Sequence, residues 1–197
     1  MAVVGLKYFA AAPLVTEGDG SMPTYSAGAK IGHLMKADIS WSTGDVGLYG
    51  DNVEVEHDNT KSYGTLTMGT TYLSIDGRKM LLGEEEFGTP ATTSDPQVYA
   101  TSDTPAPYVG VGYVTHDSAD GGDPVYIAWW VFKVQFSMDE SHETRQENTA
   151  YQTPELTGRV MGVRPDESLK NRFRIYAEFE DEADAIDWVK AKAGISA

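Results

Sequence analysis

The longest stretch of regular hydrophobic patterning is Val125–Met138, VYIAWWVFKVQFSM. Its even positions (Tyr126, Ala128, Trp130, Phe132, Val134, Phe136 and Met138) are apolar throughout, as in a strand with one face on a core. Its odd positions change partway: Val125, Ile127, Trp129 and Val131 are apolar, whereas Lys133, Gln135 and Ser137 are polar. The pattern predicts a strand covered on both faces over its first half and on one face over its second, with Lys133 reaching solvent. An unbroken strand of this length would span roughly 46 Å, far beyond the usual ~5–6 residues. Such a strand is either bulged or reaches past its own sheet toward a neighbouring chain.

Tyr108–His116, YVGVGYVTH, is the predicted hairpin partner, joined through the turn-forming DSADGGDP of Asp117–Pro124. Val109, Val111 and Tyr113 share one face, and Gly110 and Gly112 the other. If the apolar faces coincide, the Trp129 ring lies over Gly110 and Gly112 and restores the packing that glycine lacks.

Further strands are predicted at the start of the chain, where Leu6, Tyr8 and Ala10 alternate, and at Lys36–Ser42, with Ala37, Ile39 and Trp41 facing inward. Gly44–Tyr49 and Val53–Glu56 follow as weaker strands, then Tyr63–Thr71, with Leu66 and Met68 on one face. Thr153–Val163 and Arg172–Phe179 complete the set, the latter with Phe173, Ile175, Ala177 and Phe179 aligned. The period changes twice. Ser74–Leu82 reads as a short helix capped by Ser74 or Asp76 and stopped by Gly83. Asp181–Lys192 reads as a second, with acids at its start, Lys190 and Lys192 at its end and Gly194 beyond. Glu84–Pro107, rich in Thr, Ser, Pro and Gly, is a long connection of the kind that carries function, with a short strand near Gln97–Ala100. The polar Asp139–Thr149 is a loop. The predicted fold class is mainly β, a sandwich or barrel with one short internal helix and a C-terminal helix. The predicted organisation is a β domain over residues 1–163, with a strand–helix extension over 164–197 packed on it.

These segments carry a resemblance. APYVGVGY (Ala106–Tyr113), WVFKVQF (Trp130–Phe136) and YQTPELTG (Tyr151–Gly158), with GLKYF (Gly5–Phe9) and the terminal EADAIDWVKAKAG (Glu182–Gly194), resemble, in order, the major tail protein family of long-tailed, non-contractile phages. The resemblance implies a tail-tube fold and a structural virion protein, made in the bacterial host cytoplasm. It implies hexameric rings that stack, sheets of adjacent subunits joining into an inner barrel. It further implies that the tube surrounds a tape-measure protein, meets terminator and tip proteins, and conducts DNA without sequence-specific binding. The acidic Glu84–Glu86 and the loop after it fit the family less well.

Charge narrows the classes. With 30 acids against 15 bases, the formal net charge of −15 is opposite to the basic footprint of a nucleic-acid reader and unsuited to an anionic membrane surface. There is no cysteine, which removes disulfides, thiolate catalysis and Cys-ligated zinc. The apolar start MAVVGLKYFAAAPL has an A-x-A-like site but no basic region before it, and Lys7 interrupts it, so a first strand is preferred over a signal peptide. No run is long enough to span a bilayer.

Catalytic chemistry finds little purchase. His33, His57, His116 and His142 form no HExxH pair. Asp117, Asp120 and Asp123 lack EF-hand spacing and read as an acidic turn. Gly110-x-Gly112 lacks the third glycine of a dinucleotide site. A carboxylate pair for glycoside hydrolysis stays open only because acids are so many. No enzyme, cofactor or metal is expected. Trp129 and Trp130 could suggest a sugar platform, and a carbohydrate-binding β-sandwich is the alternative class. Strand neighbours point to opposite faces, however, so core packing and an inter-subunit contact by Trp129 with Gly110 and Gly112 are preferred. Edge strands are expected to drive self-association, and Gly44–Lys61 or Glu84–Pro107 to become ordered between stacked rings. Asp38, Glu54 and Glu56, on the polar faces of amphipathic strands, are the candidates to line a DNA-repelling lumen.

Overall fold

The computed structural model describes residues 2–18, 20–44, 46–50, 53–58, 60–86, 98–99, 104–118, 124–138, 153–164 and 171–196. Within these, the side chains of 2–4, 46–50, 53–58, 86, 98–99 and 118 lie outside the description. The fold is mainly β, as the hydrophobic patterning predicts. A nine-stranded sheet holds β1 (Ala2–Thr16), β2 (Thr24–Tyr25), β3 (Ala29–Gly32), β4 (Leu34–Thr43), β7 (Lys61–Thr70), β10 (Tyr108–Ser118), β11 (Pro124–Met138), β12 (Glu155–Val160) and β13 (Arg174–Phe179). All its pairings are antiparallel, in the order β2-β1-β10-β11-β12-β7-β4, with β3 added to β1 and β13 to β11. Two small hairpins stand apart: β5 (Val46–Gly50) with β6 (Val53–Asp58), and β8 (Glu85–Glu86) with β9 (Val98–Tyr99).

The two helices form where the period changes. α1 (Ile75–Leu82) is capped by Ser74, whose hydroxyl accepts from the Gly77 amide at 3.1 Å, and it ends on Gly83 in the left-handed conformation. Gly77, unfavourable for a helix, is buried, and a Cβ there would lie 3.1 Å from Leu73 Cδ1 and 3.2 Å from the capping Ser74 Oγ. α2 (Glu182–Ala193) runs from acids to lysines and stops at left-handed Gly194.

Two cores lie on opposite faces of the sheet. The inner core takes Phe9 and Ala11 of β1, Ile31 of β3, Leu66 and Met68 of β7, Val109 and Val111 of β10, Val134 and Phe136 of β11, Leu156 and Val160 of β12, and Leu81 of α1. Ala37, Ile39 and Trp41 of β4 pack at its margin. Side chains from both ends of the strand order meet there, so the sheet must curl around them. The outer core lies beneath α2, where Ala185, Val189 and Ala193 pack on Ala10, Ala12, Val114, Ala128, Trp130 and Phe132.

β11 is bulged, and the bulge explains its patterning. Val109 pairs with Val134 but Val111 with Val131, so Gly110 faces both Phe132 and Lys133. The continuous apolar even face is therefore not one face. Tyr126–Phe132 even positions lie under α2, and Val134, Phe136 and Met138 belong to the inner core. The freed backbone groups are used: Phe132 N–H donates to the Phe173 carbonyl at 3.0 Å, Met161 N–H to the Lys133 carbonyl at 2.9 Å, and the Tyr25 hydroxyl to the Phe132 carbonyl at 2.8 Å. β12 and β13 lie end to end along the same side of β11, one on each side of this bulge.

A second bulge falls at Tyr8, whose φ of 50° is in the left-handed region, between the pairs Lys7–Val114 and Phe9–Tyr113. It corrects the predicted shared face of Leu6, Tyr8 and Ala10: Leu6 turns to the inner core, Tyr8 and Ala10 to the outer one. Phe173 likewise parts from Ile175 and Phe179, since it precedes β13 at the crossover opposite the β11 bulge. No helix among the described residues is long and apolar enough to cross a membrane.

Candidate functional site: free edges and an open polar face

Residues 2–8 of β1 pair with β10 on one side, and β3 joins the other side only from Phe9 onward. β13 pairs with β11 on one side and has no strand on the other among the described residues. Among the described residues the same four-stranded section, β1-β10-β11-β13, thus ends in a free edge on each side. Its two edges are different strands, so they can meet head to tail between copies.

α2 covers the outer face of this section only. Beyond the β11 bulge, the same face of β11, β12, β7 and β4 carries Gln135, Ser137, Thr157, Arg159, Thr65, Thr67, Lys36 and Asp38, with no described element over it. A groove of about 460 Å³ runs across it between Tyr63, Gln135, Thr157 and Arg159. Lys133 stands where covered and open halves meet. It does not reach solvent: it is 9% exposed, its ammonium is ion-paired with Glu17 and it lies 4.2 Å from the Tyr108 ring centroid. The bulge turns it into the junction, and the loop after β1 comes across to meet it.

The residue over the glycines is Trp130, not Trp129. Register places Trp130 beside Gly112 and Trp129 beside Tyr113, and the faces follow. A Cβ on Gly112 would lie 2.6 Å from Trp130 Cε3, and one on Gly110 would lie 2.6 Å from Trp130 Cζ2. Tyr25 closes over the same ring edge-on, at 5.0 Å and 79°. Burial holds the Tyr25 hydroxyl well above its ordinary pKa.

Trp129 instead heads a half-exposed aromatic and cationic cluster. It stacks on Tyr113 at 6.4 Å, tilts against Tyr176 at 4.8 Å, and donates its indole N–H to Thr115 Oγ1 at 2.9 Å. The Arg174 guanidinium sits 4.6 Å from the Trp129 ring and 5.6 Å from Trp41. Lys61 adds its ammonium 5.0 Å from Trp41. Lys61, Arg174 and Tyr176 carry no signal in sequence spacing, because the cluster is built from four strands distant in sequence, β4, β7, β11 and β13. Burial pushes the Tyr113 hydroxyl up to about 12, against a lowering by Arg174.

Of the candidate lumen acids, Asp38 is exposed on the open polar face, with Lys36 at 3.6 Å; Lys36 also reaches Glu155 at 3.5 Å. Glu54 and Glu56 lie in β6, opposite Tyr49 and Leu48, and their side chains are outside the described residues. So are Asp120, Asp123, the 139–149 loop and most of 84–107 and 44–61. Asp117 is buried, and no group of three or more metal-ligating side chains occurs among the described residues. Compared with known protein families the chain matches no family model, and compared with curated proteins it matches none.

Proposed function

We propose that this chain is a structural subunit that joins edge to edge into rings, and that the rings stack into the tube of a phage tail. The observation that carries the reading is the pair of unlike free edges, β1 residues 2–8 and β13, on opposite sides of one four-stranded section. Unpaired amide and carbonyl groups on an edge form hydrogen bonds with an added strand, and unlike edges that meet through a rotation close a ring. The open polar face of β4-β7-β12-β11 supports the reading too: hydroxyl and amide side chains suit a wall past which a polymer slides. The sequence resemblance to tail-tube proteins supplies the rest, namely six copies per ring, DNA in the lumen, a tape-measure protein within it, and terminator and tip proteins at its ends.

Negative-stain microscopy and light scattering of the concentrated protein test this. Rings or tubes are expected; monomers alone, across concentration and salt, overturn it. A sugar-binding reading draws on Tyr176, 61% exposed beside Trp129. Arg174 and Tyr113 already occupy much of the Trp129 surroundings, which leaves Tyr176 a single ring and no platform.

A further inference from the structure

One aromatic row crosses the four-stranded section on its inner face. Phe9 of β1 stands opposite Tyr113 of β10, Tyr113 opposite Trp129 of β11, and Trp129 opposite Tyr176 of β13, so each strand supplies one ring. Tyr113 stacks on Trp129 with centroids 6.4 Å apart, and Trp129 meets Tyr176 at 4.8 Å and 37°. Exposure rises along the row: Phe9 is 0% exposed, Tyr113 5% and Tyr176 61%. The row therefore ends in the open, on the edge of β13 that carries no strand among the described residues. Cross-strand contacts of aromatic and aliphatic side chains stabilise a sheet, and a free edge is a template for one more strand. At the other edge, β3 covers β1 from Phe9 onward, so Phe9 is closed to an added strand. Before it, the left-handed Tyr8 bulge exchanges the faces, and Leu6 of the free stretch packs at the margin of the inner core, only partly buried.

We infer that Tyr176 of one copy packs on Leu6 of a second copy, the contact that sets the register where β13 adds to β1. The inference rests on the edge-to-edge assembly proposed above and names the side chains that fix it. β1 and β13 run antiparallel to each other within the section, because each of the pairings between them reverses direction. Copies related by rotation about an axis along the strands keep that relation, so the new pairing is antiparallel as well. With Tyr176 opposite Leu6, the inner row passes into the next copy displaced along β1 from Phe9 to Leu6. Such a stagger tilts the strands, which closing a sheet into a barrel requires. A slip of one residue sets Tyr176 opposite Gly5, which has no side chain, or Lys7, which faces α2 through Glu182. Leu6 is thus the one apolar side chain of residues 5–7 that can continue the row.

The chain has no cysteine, so introduced ones report alone. Leu6→Cys/Tyr176→Cys is assembled, oxidised and run on a non-reducing gel. Within one copy the two positions lie three strand spacings apart, roughly 14 Å, too far for a disulfide. Between copies they become direct cross-strand neighbours, within its reach. The expected result is a reducible ladder of multimers, and a single covalent dimer when separate Leu6→Cys and Tyr176→Cys copies are mixed. Tyr176→Ser, at an exposed position, should melt close to the parent yet need about tenfold more protein to assemble, whereas Tyr176→Phe should assemble as the parent does. Tyr176→Ser leaves Leu6 intact and keeps the test usable if Leu6→Cys lowers the melting temperature. Rings of the double variant that yield only monomer on oxidation overturn this contact and leave the ring reading standing, as does parent-like assembly of Tyr176→Ser. Covalent dimers from Tyr176→Cys alone also overturn it, because like edges would then be meeting. A parent chain that never assembles removes both readings.

Discussion

Gly112→Ala isolates the contact between the sheet and α2. The new methyl would fall 2.6 Å from Trp130 Cε3 on one side and 2.6 Å from Val189 Cγ1 on the other. Ordinary carbon contacts lie at about 3.5–4.0 Å, so roughly 1 Å must be found on each side. Trp130 and Val189 are both fully buried, and neither can swing into solvent. The cost belongs in the upper part of the overpacking range, about 2–3 kcal/mol. For a chain of this size that is roughly 4–12 °C in melting temperature. Trp130→Ala alone should cost about 3–5 kcal/mol, because it empties the space beneath α2 and leaves Tyr25 without its edge-on partner. Combined, the two should destabilise by about 1–2 kcal/mol less than their sum, since the alanine methyl enters space the indole has left. Denaturant titration followed by far-ultraviolet circular dichroism measures all three, with the slope checked for constancy. A Gly112→Ala variant within about 0.5 kcal/mol of the parent, or strict additivity of the pair, would refute the packing argument.

Lys133→Ala is expected to destabilise rather than be silent, because it removes a buried ammonium's pairing with Glu17 and its contact with Tyr108; Glu17→Gln, which strands that ammonium, should be at least as costly in thermal melts. Trp129→Ala should impair assembly more than folding, relative to Trp130→Ala, since Trp129 is half-exposed beside the free β13 edge; equal loss of both in the two variants would count against the division. Tyr113, raised by burial to about 12, stays neutral in the fold after an unfolded tyrosine has ionised, so its contribution is present below about pH 10 and lost as pH rises toward 12; Tyr113→Phe should flatten that part of the stability profile. Hydrogen exchange in segments 44–61 and 84–107 should slow on assembly, and equal exchange in subunit and tube would sink the idea that they order between rings.

Element type was legible wherever one residue pattern answered to one environment. β4 and β7 alternate cleanly because each has one face on the inner core and one open face. α1 and α2 announced themselves through caps and terminal charges. Face assignment failed at bulges, because a period-two reading carries the same side forward and a bulge exchanges it. That is why a period-two reading puts Trp129 over the glycines that Trp130 covers, and Lys133 in solvent. Signals were present: Lys133 ends the apolar odd positions just where the bulge lies, and a fourteen-residue run asked for one. The short β2 and β3 had no such signal, since they exist by pairing with β1. The cation–aromatic cluster was out of reach for the same reason, being assembled from β4, β7, β11 and β13.

The position of the acid bears on how a tube of this protein would treat DNA. A strongly negative belt at the wall was expected from Asp38, Glu54 and Glu56. On the open face, however, Asp38 stands beside Lys36, Lys36 reaches Glu155, and Arg159 lies 4.2 Å from the Tyr63 ring. Exposed charges this close largely cancel at a distance beyond the Debye length of about 8 Å. If that face lines the lumen, its described part is near neutral and hydroxyl-rich, a surface that offers phosphates few cations and no strong repulsion. Repulsion would then come from the β5-β6 hairpin, where Glu54 and Glu56 lie among carboxylates with no Lys or Arg. Neutralising Asp38 to asparagine should therefore change DNA ejection little, because it shifts a near-neutral face by a single charge. Reversing Glu54 and Glu56 together should slow ejection at low salt and less so at high salt. Slow ejection from Asp38→Asn alone would show that the wall itself, rather than the β5-β6 hairpin, keeps the cargo free.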